Sequence, residues 1–512
     1  MLACNYNYKK KSMNNKILKS VSLALMGLLL NGCSLNETPK TALTEEQVYG
    51  DEDNIKLLLS GLYTQWRNTK QDRGGFMFNL GTDEAKQGSQ QMRESSVQGS
   101  LDTYSSGLNA ANTSLAEQWN KRWPVITAAA KAVFYAKTPS LQAQARFIRA
   151  TLNFELVMLW GPIPIIDLNQ MREARQPEKD VFGLIIEDLE FASKNLAESQ
   201  TDKKIPTKGA ALALLGKVYL SAPAATGLRN YEKAMDCFDQ VIPKYQLIEN
   251  YSDLFNTTTN QNNSESIYAF QFINISPDNN MAQHHAGSRA VADLDGNCYF
   301  GGYDLIMPTA YYYNDKSKGG IWEPGDTRKL GSIRYDFTLP DGRVPKITWT
   351  GQLDELEPHT KKFEDTRTQG KQNFWYSGGL IYYLRLADII LCKAECLNEL
   401  GRTEEALQLI NNTVRKRAFK GNIPAEYSWI GLGKEQLRES IMDERMRELG
   451  FEGWRRMDLI RTGNLVKYVS QRNPWAKERG SIKEFHNRYP IPESEIKQND
   501  QINESDQNPG YQ

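Results

Sequence analysis

The chain has 512 residues, with 62 basic against 62 acidic side chains, 40% hydrophobic and 10% aromatic content, six cysteines and only four histidines. Charge this evenly balanced, with no basic tract beyond the lysines at the start, excludes the electrostatic footprint of a nucleic-acid binder. Sparse cysteine excludes a disulfide-dense scaffold, four histidines leave imidazole catalysis few candidates, and HExxH, GxSxG and P-loop patterns are absent.

In chain order, the first feature is an apolar run from Val21 to Leu30. It covers about half of the roughly 20 residues a helix needs to cross a bilayer, so it is too short to span. Lys9, Lys10, Lys11, Lys16 and Lys19 precede it and a polar stretch follows, the order of a secretory signal over residues 1–32. Met13 is an alternative start, because the segment from there already contains the whole signal. LNGC at Leu30 to Cys33 resembles a bacterial lipobox, which makes Cys33 the first mature residue and the carrier of lipid. An ordinary signal with an incidental cysteine is the alternative. No second long apolar run appears, so the mature chain is expected to be soluble and tethered only at its N-terminus.

Thr44 to Trp66 opens with a threonine cap and acidic first turn, then places Ile55, Leu58, Leu59, Leu62, Tyr63 and Trp66 at helical spacing. A second block puts Trp119, Trp123, Ile126, Ala130 and Val133 on one stripe. A third is closed by Gly161 and the PIP that follows, a strong helix stop. Two further helical pairs follow. PTKGAALALLGKVYLSA leads into NYEKAMDCFDQVIPKY, and YYLRLADIILCKAECLNELG leads into RTEEALQLINNTVRKRA. Small residues (Ala210, Ala211, Ala213, Gly216; Ala387, Ala394) let such pairs approach closely, and helix-turn-helix units of this kind are the tetratricopeptide signature. Cys392 and Cys396 sit one turn apart, but no partner pair at zinc spacing accompanies them, so they read as buried core thiols.

Between about Asn274 and Gly379 the pattern changes to Gly, Asn, Asp and aromatics, broken by Pro308, Pro324, Pro340 and Pro345, with TLPDGRV as a hairpin turn. Long irregular segments inside compact domains are usually functional or disordered, and the aromatic content argues against disorder. Tyr299, Phe300, Tyr303, Tyr311, Tyr312, Tyr313, Trp322, Tyr335, Trp349, Trp375 and Tyr376 offer flat platforms for the C–H face of a pyranose, flanked by polar groups for its hydroxyls. The plainer alternative is that these rings pack the insert onto the helices.

A dense charge set lies at Ile441 to Gly463, with Glu444, Glu448, Glu452 and Asp458 among Arg445, Arg447, Arg455, Arg456 and Arg461. Paired carboxyls such as Glu448 and Glu452 suggest a glycoside hydrolase, but arginines at three- and four-residue spacing favour ionised carboxylates, whereas an acid catalyst needs its pKa raised. A structural ion-pair network is the stronger reading.

ERMRELGFEGWRRMDLIRTG, the LCKAEC helical pair, YPIPESEI and QNPGY resemble the C-terminal signature of the SusD/RagB family of outer-membrane nutrient-binding lipoproteins. LTEEQVYGDEDNIKLLLSGLY, GTDEA, RWPVITAAAKAV, RATLNFELVMLWGPIPII and YQLIENYSDLF match its N-terminal half in the same order. The resemblance implies a mainly α fold of about four tetratricopeptide-like helix pairs forming a right-handed helical scaffold, with a long irregular insert containing short strands. In this reading residues 33–512 form one domain, 44–270 and 380–470 being scaffold and 274–379 the ligand-facing insert. It further implies a cell-surface glycan binder without enzymatic activity or cofactor, anchored in the outer membrane by lipid and feeding oligosaccharide to a SusC-like TonB-dependent barrel. Structural calcium stays open. Ligand residues do not carry over individually. The candidates are Tyr299, Tyr303, Tyr313, Trp322 and Trp349 of the insert, together with Asp83 of TDEA and Tyr104. Peptide or another nutrient as cargo, a glycoside hydrolase, and a scaffold without small ligand are the alternatives.

Overall fold

The computed structural model describes residues 45–71, 75, 77–88, 98–170, 172–288, 302–338, 341–343, 358–368 and 375–511. The signal segment, Cys33, Tyr299 and Trp349 lie outside them. The chain divides at Val48: of the first unit only the residues from Glu45 are described, and Tyr49–Gln512 forms the second.

Helices α1 (Glu52–Asn68), α2 (Thr113–Tyr135), α3 (Pro139–Trp160), α4 (Glu178–Asn195), α5 (Lys208–Ser221) and α6 (Tyr231–Val241) lead into strand β1 (Ser266–Phe270). After the insert, which carries the short helix α7 (Ala282–Ala286), come β2 (Ile381–Arg385), α8 (Leu386–Glu399), α9 (Thr403–Ile410), α10 (Lys434–Leu449), α11 (Arg455–Arg461) and α12 (Leu465–Arg472). Each helix from α2 to α6 packs on the next, α6 meets α8, and α8 meets α9 and α10. This is the mainly helical, tetratricopeptide-like scaffold expected.

Local chemistry sets the boundaries. A short helix, Glu45–Tyr49, follows Thr44 directly, and Asp51 then caps α1 by accepting from Asp53 N (2.7 Å), so the single helix expected from Thr44 to Trp66 is two. Asn112 caps α2 by accepting from Leu115 N. Gly161 ends α3 at φ +77, a left-handed conformation that favours glycine. Close packing of α5 on α6 depends on Gly216, where a methyl group would overlap the Phe238 ring. Cys392 and Cys396 are buried free thiols, as their position on the helix suggested, and Cys237 is a third.

Trp66 of α1 joins scaffold to ribbon. Its ring stacks on Tyr268 of β1 (centroids 5.2 Å) and takes the edges of Phe270 (4.9 Å) and Tyr383 of β2 (5.7 Å). Antiparallel pairing of β1 with β2 brings the two ends of the insert together. Within the insert, Ile333–Arg334 pairs with His359–Thr360, and the expected turn at Asp341–Arg343 lies between those strands with Gly342 at φ +81. At the C-terminus, Gln507 exchanges hydrogen bonds with the backbone of Ile491, and Asn508 donates to the carbonyls of Trp160 and Tyr489. The terminal motif is thus a staple across the end of α3.

Candidate functional site

The charges of α10 and its neighbours form a buried network. Glu444 takes Arg328 (2.8 Å), Arg415 (3.1 Å) and Arg447 (2.8 Å); Glu448 takes Arg328 (2.9 Å), Arg385 and Arg417; and Glu452 takes Arg385 (2.8 Å) and Lys362 (2.8 Å). Burial pushes the Glu448 carboxyl up, but Arg417, Arg385 and Arg328 outweigh it and hold the pKa well below the usual range. Arg328, Arg447 and Arg415 do the same for Glu444, and Arg385 and Lys362 lower Glu452. A glycosidase proton donor needs the opposite shift. Arg328 and Glu323 belong to the insert, and Glu323 pairs with Arg415 (2.7 Å), so the network rivets insert to scaffold.

Three expected ligand contacts are corrected by their burial. Asp83 is fully buried, its carboxylate bridged by Arg455 and reached by Arg472 (3.0 Å). Tyr104, also buried, donates its hydroxyl to the Gly81 carbonyl and accepts from Arg456 (3.1 Å). Trp322 has no exposed surface; it packs on Tyr312, to whose carbonyl its indole N–H donates, and Tyr312 in turn packs on Phe451 (centroids 5.6 Å). Gly450 makes this room, since a side chain there would strike the Tyr312 hydroxyl. The middle of the insert is therefore core.

Its outer part presents rings to solvent. Tyr303 is 37% exposed and Trp375 36%, and both meet the imidazole of His284 edge-on, at centroid distances of 4.5 Å and 4.4 Å. Helix α7 sets this arrangement. The N–H of Tyr303 donates to His284 O (2.7 Å) and Leu305 N to His285 O (2.9 Å). Gly302 permits the approach, because a Cβ there would lie 2.7 Å from the Gly287 Cα. Tyr313 is half-buried and faces the exposed Tyr335, rings 6.4 Å apart.

Trp375 is placed by a hub at Asp365. This carboxylate accepts from Thr257 Oγ1 (3.0 Å), Asn274 Nδ2 (2.8 Å), Ser377 Oγ (3.0 Å), Gly378 N (2.9 Å) and the Arg367 guanidinium (2.9 Å). Burial pushes its pKa up, yet Arg367 and Asn274 prevail and hold it at about 2. The hub joins the Trp375 segment to the loop carrying the exposed Ile273 and Ile275, so rings and aliphatic groups share one strip. Sequence reasoning found Tyr303 and Trp375 as rings in an aromatic insert. It missed His284, whose signal as a spacer is only its position on α7, and Asp365, which no local pattern marks. Among the described residues there is no group of acidic, His and Cys side chains suited to a metal ion.

Two family models match the chain: one described as "SusD family" over residues 347–511, and one described as "Starch-binding associating with outer membrane" over residues 54–220. The chain is 26% identical to a SusD-like protein of Formosa agariphila, over 93% of this chain and 96% of that protein. It is 25% identical to the starch-binding protein SusD of Bacteroides thetaiotaomicron, over 73% of this chain and 74% of that one. Among solved structures, a SusD homolog from Bacteroides thetaiotaomicron superposes with a TM-score of 0.73 at 22% identity, covering 91% of this chain and 98% of that one. A laminarin-binding SusD-like protein gives 0.69 at 23% identity, covering 90% and 100%. These superpositions carry the fold.

Proposed function

The chain belongs to the SusD/RagB family, and from that premise we propose that it captures oligosaccharide at the cell surface and passes it to a SusC-like TonB-dependent barrel. The observation that carries this is the pair of exposed rings, Tyr303 and Trp375, both in edge-on contact with His284. Flat rings with polar neighbours suit a pyranose, whose C–H face stacks while its hydroxyls find donors and acceptors. The names of the relatives support the same cargo: one binds starch and one laminarin. Tyr313, Tyr299 and Trp349 are the further ring candidates, the last two outside the described residues.

The role is binding without catalysis and without a cofactor. Anchorage is through lipid on Cys33 in the outer membrane, with the binding strip facing the exterior; the description of one matching family as associating with the outer membrane supports this.

Isothermal titration of the mature chain against a panel of oligosaccharides tests the reading. Heat with one glycan class, reduced in Trp375→Ala and Tyr303→Ala and unchanged by a chelator, is expected. Binding of a peptide with none of any glycan would reassign the cargo, and the exposed Ile273 and Ile275 make that arm worth including. Release of reducing sugar by pure protein would overturn the non-catalytic assignment. A Cys33→Ser chain that still fractionates with the outer membrane would overturn the anchor.

A further inference from the structure

The scaffold holds a cavity of about 410 Å³, lined by different residues from the ring-bearing strip. It opens among α5, α6, α8, α10, α11 and α12. Leu220, Ile441 and Met442, each at most 3% exposed, lie at its floor, and charged groups line its sides, Arg229 among them just ahead of α6.

Nearly every charge there is already matched. Glu395 is held by Arg461 (2.8 Å to Nη2), Glu399 by the Arg438 fork (2.6 Å to Nη2), and Glu439 by Lys467 (2.9 Å). Arg229 differs. Its Nε donates to the Ala222 carbonyl (2.7 Å), which fixes the side chain, while among the described residues its two terminal nitrogens have no hydrogen-bond or ion-pair partner. The hydroxyls of Tyr231 and Tyr468, which also line the cavity, likewise have no partner among the described residues. Unspent donors are therefore gathered in a space of the size small-molecule sites occupy. A guanidinium with both terminal nitrogens open matches a carboxylate in a two-point geometry.

We propose that this cavity is a second binding site, taking the carboxylate of a small acidic ligand on Arg229, with the Tyr231 and Tyr468 hydroxyls as further donors to the ligand body. Uronic acids and short peptides with a free terminus share this chemistry. The proposal stands apart from the glycan reading, since no residue of the strip takes part.

Saturation-transfer NMR and titration calorimetry on the mature chain test it, with glucuronic acid and the dipeptide Ala-Phe as probes and glucose and amidated Ala-Phe as neutral controls. Binding of at least one acid over its neutral control is expected, weakened at least tenfold in Arg229→Gln and unchanged in Trp375→Ala. Which acid binds separates the two sources. Arg229 makes only one hydrogen bond to the fold, so the variant should melt as the parent does. If it does not fold, Tyr468→Phe, which keeps the ring, should weaken the same acid several-fold. No binding of either acid, equal binding of acid and neutral control, or unaltered binding in the variants would overturn the proposal, whatever the result with neutral oligosaccharides.

Discussion

The Asp83 carboxylate and the Arg455 guanidinium, 372 residues apart in the chain, meet as a two-pronged fork with both N–O distances at 2.7 Å. Asp83 belongs to TDEA and Arg455 to GWRRMD, so motifs from the two ends of the chain are halves of one buried contact. Burial pushes the Asp83 carboxyl up, and Arg455 and Arg472 more than reverse it.

Asp83→Asn should therefore act on stability and leave the ligand strip alone. It strands Arg455 without its countercharge, and breaking a buried pair from one side costs about 3–5 kcal/mol. Urea denaturation should show that loss while glycan affinity of the folded protein stays at the parental value. A drop in affinity with unchanged stability would return Asp83 to the binding site.

Trp375→Ala and Trp322→Ala should behave in opposite ways. The first removes an exposed platform and should weaken glycan binding at least tenfold, roughly 1.4 kcal/mol, with stability changed by less than about 1 kcal/mol. The second opens the core beside Tyr312 and should cost about 3–5 kcal/mol of stability. Calorimetric titration and denaturant melts on both variants separate the two effects.

His284 touches both platforms edge-on, so its ring shape should matter more than its basicity. His284→Ala should weaken glycan binding several-fold, and His284→Phe should restore most of it, since a phenyl ring supplies the same edge-on contacts. Equal affinity in all three proteins would show that the spacing of Tyr303 and Trp375 is set elsewhere.

Glu84 gives stability a pH dependence of known sign. Burial pushes its pKa from 4.5 to about 8, with Arg455 opposing and Asp83 adding; Phe451 N donates to it and Lys362 also opposes. The folded state thus holds a proton that the unfolded chain releases above about pH 4.5. The resulting penalty is absent below that pH, grows by up to roughly 1.4 kcal/mol per pH unit, and is complete above pH 8. Glu84→Gln should flatten the stability profile between pH 5 and 8 in urea titrations. A parallel profile would mean that Glu84 is ionised throughout.

Two helical glycines should respond oppositely to a methyl group. Gly216→Ala drives a Cβ into the Phe238 ring and should cost about 1–3 kcal/mol. Gly183→Ala on α4 meets nothing within 4 Å and should stabilise by about 0.5–1 kcal/mol through helix propensity. Thermal melts of the pair check the packing of α5 on α6.

What was legible in the chain follows from the range of the interactions involved. The stop at Gly161, the small-residue face of α5 and the buried thiols of α8 depend on neighbours within a few turns, and all could be read. So could the bridging of Glu448 by arginines, although its partners Arg328, Arg385 and Arg417 all come from outside its own helix. Which rings face outward could not. Trp322 and Trp375 look alike in an aromatic insert, and what separates them is the network around α10, where Arg328 meets Glu448 from 120 residues away. The break between Glu45–Tyr49 and α1 was not read, although Gly50 and the capping carboxylate of Asp51 stand at it.

Because both ends of the insert meet at the β1–β2 ribbon, it looks like a cassette that could be exchanged wholesale between relatives to alter cargo. Arg328 and Glu323 limit that freedom. A transplanted segment lacking them would take Arg328 from Glu444 and Glu448 and Glu323 from Arg415, leaving each of those buried groups short of a partner. Exchange is therefore simplest in the outer ring-bearing stretches, which carry neither residue.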